Sequence, residues 1–364
     1  MSDRNPIADH HWYSVFSKEY KTQVIENSIR RAFHDSLGAG EDYTDTKWPP
    51  YSSPPIIRTF SLANFFRLYD LPFKRAAPLL FQNLRTKEWG IDEGKYATQL
   101  DGRLTPVSGL GFSGSLFFFT TDGDYLVKSV GRRFEYTFLY TQCIESYCDH
   151  IIENPNSLLC RMTDVLFCFD RHLGGVLGIS PSHYVVMHNL LRGMDEEHGW
   201  VKWDLKPQQF FEPMRDLIPD AVQTAEAKSG LADAMKDDRI VLTRRQKSEL
   251  YALLEIDTRF LETVETIDYS LLLGRYPVSK GGKPPKPENW VTGVTSADGE
   301  YVYRMCIVDF LWNVNQLQAK ITRTAGKMLP EQTVTTQPAR YRREFLAMVE
   351  EYIDVPEADT GGSS

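Results

Sequence analysis

The chain lacks any apolar run approaching the roughly 18 residues that a membrane-crossing helix needs. Its first residues, MSDRNPIADHH, are polar and hold no apolar core, so no secretory signal is expected and a cytoplasmic protein is. Cysteine is scarce. Cys143, Cys148, Cys160, Cys168 and Cys306 make an odd number in a chain of 364 residues, which is no disulfide framework. Their spacing is not that of a zinc site, and no paired histidines follow them. Buried free thiols in a reducing compartment are expected. A basic excess is also missing: 49 acidic residues outnumber 41 basic ones, and the net charge of −8 argues against a general nucleic-acid binder. One basic stretch stands out locally, with Lys320, Arg323, Lys327, Arg340, Arg342 and Arg343 against Glu331 and Glu344.

What is present is an ordinary globular composition: 42% hydrophobic, 25% charged and 12% aromatic residues, enough to build two lobes. Apolar residues recur at three- and four-residue steps in YKTQVIENSIRRAFHDSL and in TRRQKSELYALLEIDTRFLETV, which predicts helices, the second capped by Thr243. The run SLANFFRLYDLPFKRAAPLLFQNLRTKEWG reads as short helices broken at Pro72 and capped at Ser61, after a proline-rich connector. SGSLFFFTTDGDYLVKSV reads as two strands around the turn TDGD. Residues 134–152 and YRREFLAMVEEYI read as helices; HYVVMHNLL and GEYVYRMCIVDFLW read as strands. Residues 207–242 form a weakly patterned connection, and VSKGGKPPKPENW a flexible loop. Strands and helices alternate without a βαβ rhythm, so the fold class expected is α+β with an antiparallel sheet in each lobe. The lobes are placed at 21–190 and 191–354, between disordered ends at 1–20 and 355–364.

Several constellations could carry chemistry. Gly109, Gly111 and Gly114, with Ser113 and Ser115, form a glycine-rich turn between strands that could approach a phosphate closely. Lys128 follows on the next strand, a kinase-type spacing and not a P-loop. A plain hairpin with a surface lysine would read the same way. Asp309 in CIVDF ends an apolar strand, where it could hold a divalent cation or cap the next turn. In WVKWDLKPQQ, Asp204 and Lys206 share one strand face, either as a surface ion pair or as a carboxylate and a phosphate-binding lysine. The stretch VETIDYSLLLGRYP sets Asp268 inside an apolar run, where an ionised carboxylate is costly unless it is paired. That acid either pins local structure or does chemistry.

The order of these pieces resembles the phosphatidylinositol phosphate kinase family over roughly residues 20–350. SGSLFFFTTDGDYLVKSV is similar to its glycine loop and ATP lysine, and ENPNSLL and HYVVMHNLL to its inter-lobe segments. WDLKPQQ is similar to its Asp-Leu-Lys-Gly-Ser motif, TIDYSLLLGRY to its Met-Asp-Tyr-Ser-Leu-Leu signature, CIVDFLW to its Ile-Ile-Asp segment, and QPARYRREFLAMV to the close of its activation loop and last helix. DYSLLLG is the most specific match.

The resemblance implies a two-lobed lipid-kinase-like fold and a peripheral membrane enzyme using ATP and Mg2+. It would phosphorylate the inositol ring of a phosphatidylinositol monophosphate at an anionic membrane surface. It gives Asp268 the catalytic carboxylate, Asp204 and Lys206 supporting roles with Lys206 on the transferring phosphate, and Asp309 the magnesium. Lys128 would take the α- and β-phosphates, paired with Glu135. Ser113, Gly114 and Ser115 would cover the nucleotide, and Met187 and Asn189 would border the purine. Lys320, Arg323 and Lys327 would meet the lipid. Family members often dimerise through the N-terminal lobe, so a homodimer is an expectation. By this resemblance the chain would be a divergent member: Pro207 and Gln208 stand where the family has Gly-Ser, and Arg275 and Tyr276 where it has Ile-His. Two rival readings follow, a pseudokinase that binds phosphoinositide or protein, and a kinase for a soluble inositol phosphate.

Overall fold

The computed structural model describes residues 18–38, 73–107, 115–168, 183–193, 199–207, 235, 238–281, 284, 286–315 and 337–356. The chain divides into two compact units, Met1–Arg132 with Arg161–Asn189, and Arg133–Cys160 with Leu190–Ser364. Residues 133–160, grouped with the N-terminal lobe in the sequence reading, cluster with the second unit. Each unit combines helices with an antiparallel sheet, so the α+β architecture holds.

The first unit is built on a six-stranded antiparallel sheet. In chain order its elements are helix α1 (Lys18–Gly38), strand β1 (Phe73–Arg75), helix α2 (Pro78–Asn83) running into a π-helical turn, and helix α3 (Glu93–Asp101). Strands β2 (Leu104–Val107), β3 (Phe117–Thr120), β4 (Tyr125–Ser129), β5 (Met162–Cys168) and β6 (His183–His188) follow. Their spatial order is β1-β5-β6-β4-β3-β2. Val24, Ile25, Ile29 and Phe33 of α1 and Tyr96 and Leu100 of α3 pack on Phe118, Val127, Leu166, Tyr184 and Val186 of the sheet. The three- and four-residue spacing of the α1 residues puts them on one helix face.

Two segments depart from expectation. Phe73–Arg75 lies within the stretch expected to form short helices but pairs with β5 as a strand, because ladder bonding to Leu166–Cys168 outweighs a local helical preference. The segment Met162–Cys168, assigned no element from the sequence, is a fully buried central strand. Asp164 within it is buried because two arginines reach it: Arg75 Nε donates at 2.8 Å and Arg85 Nη1 at 3.2 Å. Arg85, itself buried, donates twice more to Glu93, at 2.6 and 2.8 Å.

The hairpin expected around TDGD forms. Gly123 adopts φ 72°, a left-handed turn conformation suited to glycine, and donates its N–H to the carbonyl of Thr120. The expected cap at Ser61, the break at Pro72 and the glycine-rich turn 108–114 lie outside the described residues.

The second unit opens with helices α4 (Arg133–Phe138) and α5 (Ile144–Glu153), joined by a π-helical turn. There follow β7 (Val201–Leu205), β8 (Ile240–Val241), helix α6 (Arg244–Thr263), β9 (Thr266–Ile267), β10 (Ser270–Pro277) and a short helix α7 (Val278–Gly281). The last elements are β11 (Val294–Thr295), β12 (Tyr301–Val308), β13 (Trp312–Asn313), helix α8 (Pro338–Glu351) and β14 (Ile353–Asp354). A four-stranded antiparallel sheet, β11-β12-β10-β7, is flanked by the pairs β13-β9 and β14-β8. Helix α7 replaces the start of what the sequence suggests is a loop, while residues 282, 283 and 285 lie outside the described set. Thr243 caps α6 as expected, in a reciprocal box: its Oγ1 accepts from the Gln246 N–H at 3.1 Å and its own N–H donates to Gln246 Oε1 at 2.9 Å. Such a cap stabilises a helix start by about 1 kcal/mol.

Candidate active site

Three strands of the second unit bring charged residues to one end of its sheet. Leu205, the last residue of β7, pairs with Leu271, so Lys206 leaves the sheet beside the start of β10. Ser270, the first residue of β10, pairs with Val308, the last of β12. Asp268 lies two residues before that pair and Asp309 one residue after it. On the far side Ile267 pairs with Trp312 and Thr266 with Asn313, so the same two segments re-form a ladder. Both acids therefore sit in the break between two ladders. Asp268 has φ 64° and Asp309 φ 63°. Left-handed backbone costs a non-glycine residue about 1–2 kcal/mol, least for Asp and Asn. It breaks the strand pleat and re-aims the side chain.

Lys206 Nζ stands 3.3 Å from Asp268 Oδ1, with the lysine side chain 13% exposed and the aspartate 25%. Burial works against the ammonium. The field of Asp268 first, then of Asp309 and Asp204, outweighs it and raises the Lys206 pKa above the ordinary value. The lysine therefore carries its charge at neutral pH. Asp204 and Asp309 are both exposed, Asp204 opposite Leu272 on the edge strand β7. An ammonium amid carboxylates can pair with a transferring phosphate, and a carboxylate can hold magnesium with phosphate oxygens completing its shell. Among the described residues no group of three or more metal-ligating side chains forms. The exposed Asp309 suits the more open coordination that magnesium takes when one or two carboxylates and phosphates share it.

Lys128, in β4, pairs with Phe117 on one side and Val185 on the other. Its ammonium lies 5.6 Å from the centre of the Phe117 ring. Met187 pairs with Leu126, which shares the Lys128 face of the sheet, opposite the face that packs on α1 and α3. Asn189 donates its side-chain amide to the Gly123 carbonyl at 2.9 Å and its N–H to that of Asp124 at 2.8 Å, tying the end of β6 to the hairpin. Glu135, in α4, accepts from Trp312 Nε1 at 3.2 Å. Ser115 precedes β3 and is half-buried. Ser113, Gly114, Lys320, Arg323 and Lys327 lie outside the described residues.

The departures from the family pattern have structural readings. Pro207 is buried just after β7, where a residue without an N–H ends a strand. Arg275 lies between the rings of Trp203 and Tyr301, 4.9 and 4.6 Å from their centres, and its Nη1 reaches Asp238 at 2.7 Å. Tyr276 and Trp200 pack ring against ring, and Arg304 lies over both, donating to the Arg192 carbonyl at 2.8 Å. Arg275 and Tyr276 thus each join an arginine–aromatic stack, worth about 0.5–2 kcal/mol.

Two arrangements near the site escaped the sequence reading. The buried Asp257 of α6 accepts from His150 Nε2 at 2.6 Å, Ser157 Oγ at 2.7 Å and the Leu158 N–H at 2.6 Å. It thereby holds the segment 158–160, which bonds along β12 at Ile307. The other is Tyr341 of α8, whose hydroxyl bonds the backbone beside Asp268. Neither has a sequence signal, since the partners lie 72 to 107 residues apart.

Comparison with known proteins agrees with the site's motifs. The family model described as Phosphatidylinositol-4-phosphate 5-Kinase matches residues 99–289, more than half of the chain. The chain belongs to this family of phosphatidylinositol phosphate kinases. The match includes Lys128, Lys206 and Asp268 and ends before Asp309. Among its relatives, a Phosphatidylinositol 4-phosphate 5-kinase of Plasmodium falciparum is 25% identical over a 408-residue alignment, covering 94% of this chain and 23% of that protein. Phosphatidylinositol 4-phosphate 5-kinase type-1 beta of Mus musculus is 29% identical over 208 residues, 56% of this chain and 36% of that protein. Phosphatidylinositol 4-phosphate 5-kinase 1 of Arabidopsis thaliana is 28% identical over 207 residues, 56% of this chain and 26% of that protein. The chain spans well under half the length of each.

Proposed function

We propose that the protein is an ATP- and magnesium-dependent kinase of a phosphatidylinositol monophosphate, acting as a peripheral enzyme at an anionic membrane surface. The observation that carries this reading is the pairing of Lys206 with Asp268, with Asp309 and Asp204 close enough to act on the same ammonium. Asp268 orients the inositol hydroxyl and takes its proton. The hydroxyl oxygen bonds the γ-phosphorus, the bond from that phosphorus to the β–γ bridging oxygen breaks, and ADP leaves. Lys206 offsets charge on the transferring group. Bound magnesium, held by Asp309, would neutralise the phosphate oxygens. Lys128 takes the α- and β-phosphates, with Ser113, Gly114 and Ser115 over the nucleotide. Such positioning and fixed charge is most of what phosphoryl transfer asks of a protein. Lys320, Arg323 and Lys327 add about 1 kcal/mol each at an anionic surface.

The test is transfer of radiolabelled phosphate from ATP to vesicles carrying each of the three phosphatidylinositol monophosphates, with the product position read by chromatography. Transfer to at least one lipid is expected, and neutralising Lys320, Arg323 and Lys327 together should slow it. Binding to vesicles without transfer would identify a binding module instead. Equal turnover of the free headgroup, unaffected by the neutralised stretch, would identify a kinase of soluble inositol phosphates.

A further inference from the structure

The Tyr269 carbonyl falls in the break between the β9–β13 and β10–β12 ladders, outside both. A buried carbonyl there needs a partner from elsewhere. Tyr341, in the first turn of α8, supplies it: its hydroxyl donates to the Tyr269 oxygen at 2.5 Å. Both residues are fully buried. Their rings meet edge to face, 4.7 Å between centres, and Phe345, one helical turn further along α8, packs on Tyr269 at 5.0 Å. Burial first, then the nearby charge of Asp268, raises the Tyr341 phenol well above its ordinary pKa, so it stays a donor.

We infer that Tyr341 is the positioning residue for Asp268: its hydrogen bond to the Tyr269 carbonyl holds the left-handed backbone that aims the carboxylate at Lys206. A conformation of that kind persists only when its surroundings determine it. On one side of Asp268 the β9–β13 ladder does so, helped by Asn313 Nδ2 on the Val264 carbonyl at 2.9 Å. On the other side Tyr341 fixes the Tyr269 carbonyl before the β10–β12 ladder begins at Ser270. Without it the Tyr269–Ser270 peptide can rotate, the freedom reaches back through Tyr269 to the Asp268 backbone, and the Lys206–Asp268 pair loosens while the sheet beyond Ser270 stays registered. The inference rests on the proposed role of Asp268 only for its effect on turnover. Its geometric content concerns the ion pair alone.

The test uses Tyr341→Phe, which keeps the ring and its packing and removes the hydroxyl. The first readout is acylation of Lys206 in the folded protein, measured by mass spectrometry at neutral pH. A paired ammonium acylates slowly, and losing its carboxylate raises the free-amine fraction. Asp268→Asn sets the rate in the absence of that carboxylate. Tyr341→Phe is expected to raise Lys206 labelling several-fold toward that rate. Tyr251→Phe is the control: it removes another hydroxyl bond to α8, at the Leu346 carbonyl, and should leave Lys206 as in the wild type. The second readout is kinetic. Tyr341→Phe should lower kcat roughly 10- to 100-fold, with KM for ATP within about twofold, as a small misplacement of a reacting group does. Labelling that stays at the wild-type rate in Tyr341→Phe, or that rises equally in Tyr251→Phe, would overturn the inference. Raised labelling specific to Tyr341→Phe in a protein with no turnover would uphold the positioning and refute the kinase reading.

Discussion

Asp268 and Asp309 leave their paired strands in the same left-handed conformation, φ 64° and 63°, both beyond the Ser270–Val308 pair that ends the ladder. This shared geometry explains how two isolated acids, 41 positions apart in the chain by their numbering, come to the same end of one sheet. It also determines which substitutions test them cleanly.

Asparagine tolerates left-handed backbone nearly as well as aspartate, so Asp268→Asn and Asp309→Asn should fold. Each is expected to lower phosphate transfer by roughly a hundredfold or more, as loss of a charge-bearing site residue does. Lys128→Met should act likewise. Circular dichroism should match the wild type in all three. A variant that retains near-wild-type turnover removes that residue from the mechanism. Asp268→Val, by contrast, should also cost stability, on the order of 1–3 kcal/mol, because a β-branched residue fits poorly at positive φ.

Asp257→Ala should destabilise the second unit by about 3 kcal/mol. It strands the Leu158 N–H, the Ser157 hydroxyl and His150, three donors that converge on a buried carboxylate. Urea unfolding followed by tryptophan fluorescence measures this. A shift of under about 0.5 kcal/mol would show that the cluster is satisfied by water after relaxation.

Alkali should unfold the protein at a predictable edge. Burial raises the phenol of Tyr125 to about 12, with Asp124 adding to it, raises those of Tyr96 and Tyr269 further, and raises that of Tyr341 well above its ordinary value. For a group whose folded pKa lies above its unfolded one, the stabilisation is complete below the unfolded value, about 10 for tyrosine. It is lost as pH climbs from there toward the folded value. The melting temperature should therefore not respond to these groups from pH 7 to about 9.5, then fall steeply above about 10. A late component of the phenolate absorbance, from these buried tyrosines, should rise together with unfolding.

All five cysteines are buried and free. Burial raises the Cys143 thiol to about 12 and that of Cys148 further, with Cys143 beside it. Thiolate is the reactive form, so neither should alkylate at pH 8 in the folded protein. Intact mass after brief iodoacetamide treatment is expected to show no addition, against five in denaturant. Rapid modification of Cys143 or Cys148 while native circular dichroism persists would mean that their helix opens locally.

Elements that depend on neighbours in sequence were legible in it. The spacing in α1 and α6, the Thr243 cap with Gln246 three residues on, and the TDGD hairpin all show in short windows, because their physics is local. Alternation in WVKWDLK gave the strand that carries Asp204, but that strand ends at Leu205, so Lys206 leaves the sheet and does not share its face. Local signal failed where a distant partner decided the outcome. Phe73–Arg75 became a strand because β5 lies beside it, and Asp164 could be buried because Arg75 and Arg85 surround it.

By itself the sequence determined the family, through DYSLLLG and the motifs around it, together with the α+β class and the identities of the candidate acids and lysines. Only the tertiary structure decided that Lys206 pairs with Asp268, that Asp268 and Asp309 share a left-handed turn out of the sheet, and that Tyr341 secures the backbone between the ladders. The reason is physical. Motif and periodicity report covalent order and short-range preference, whereas a charge pair or a buried carbonyl's partner exists only once the chain has paid the entropy of bringing remote segments together.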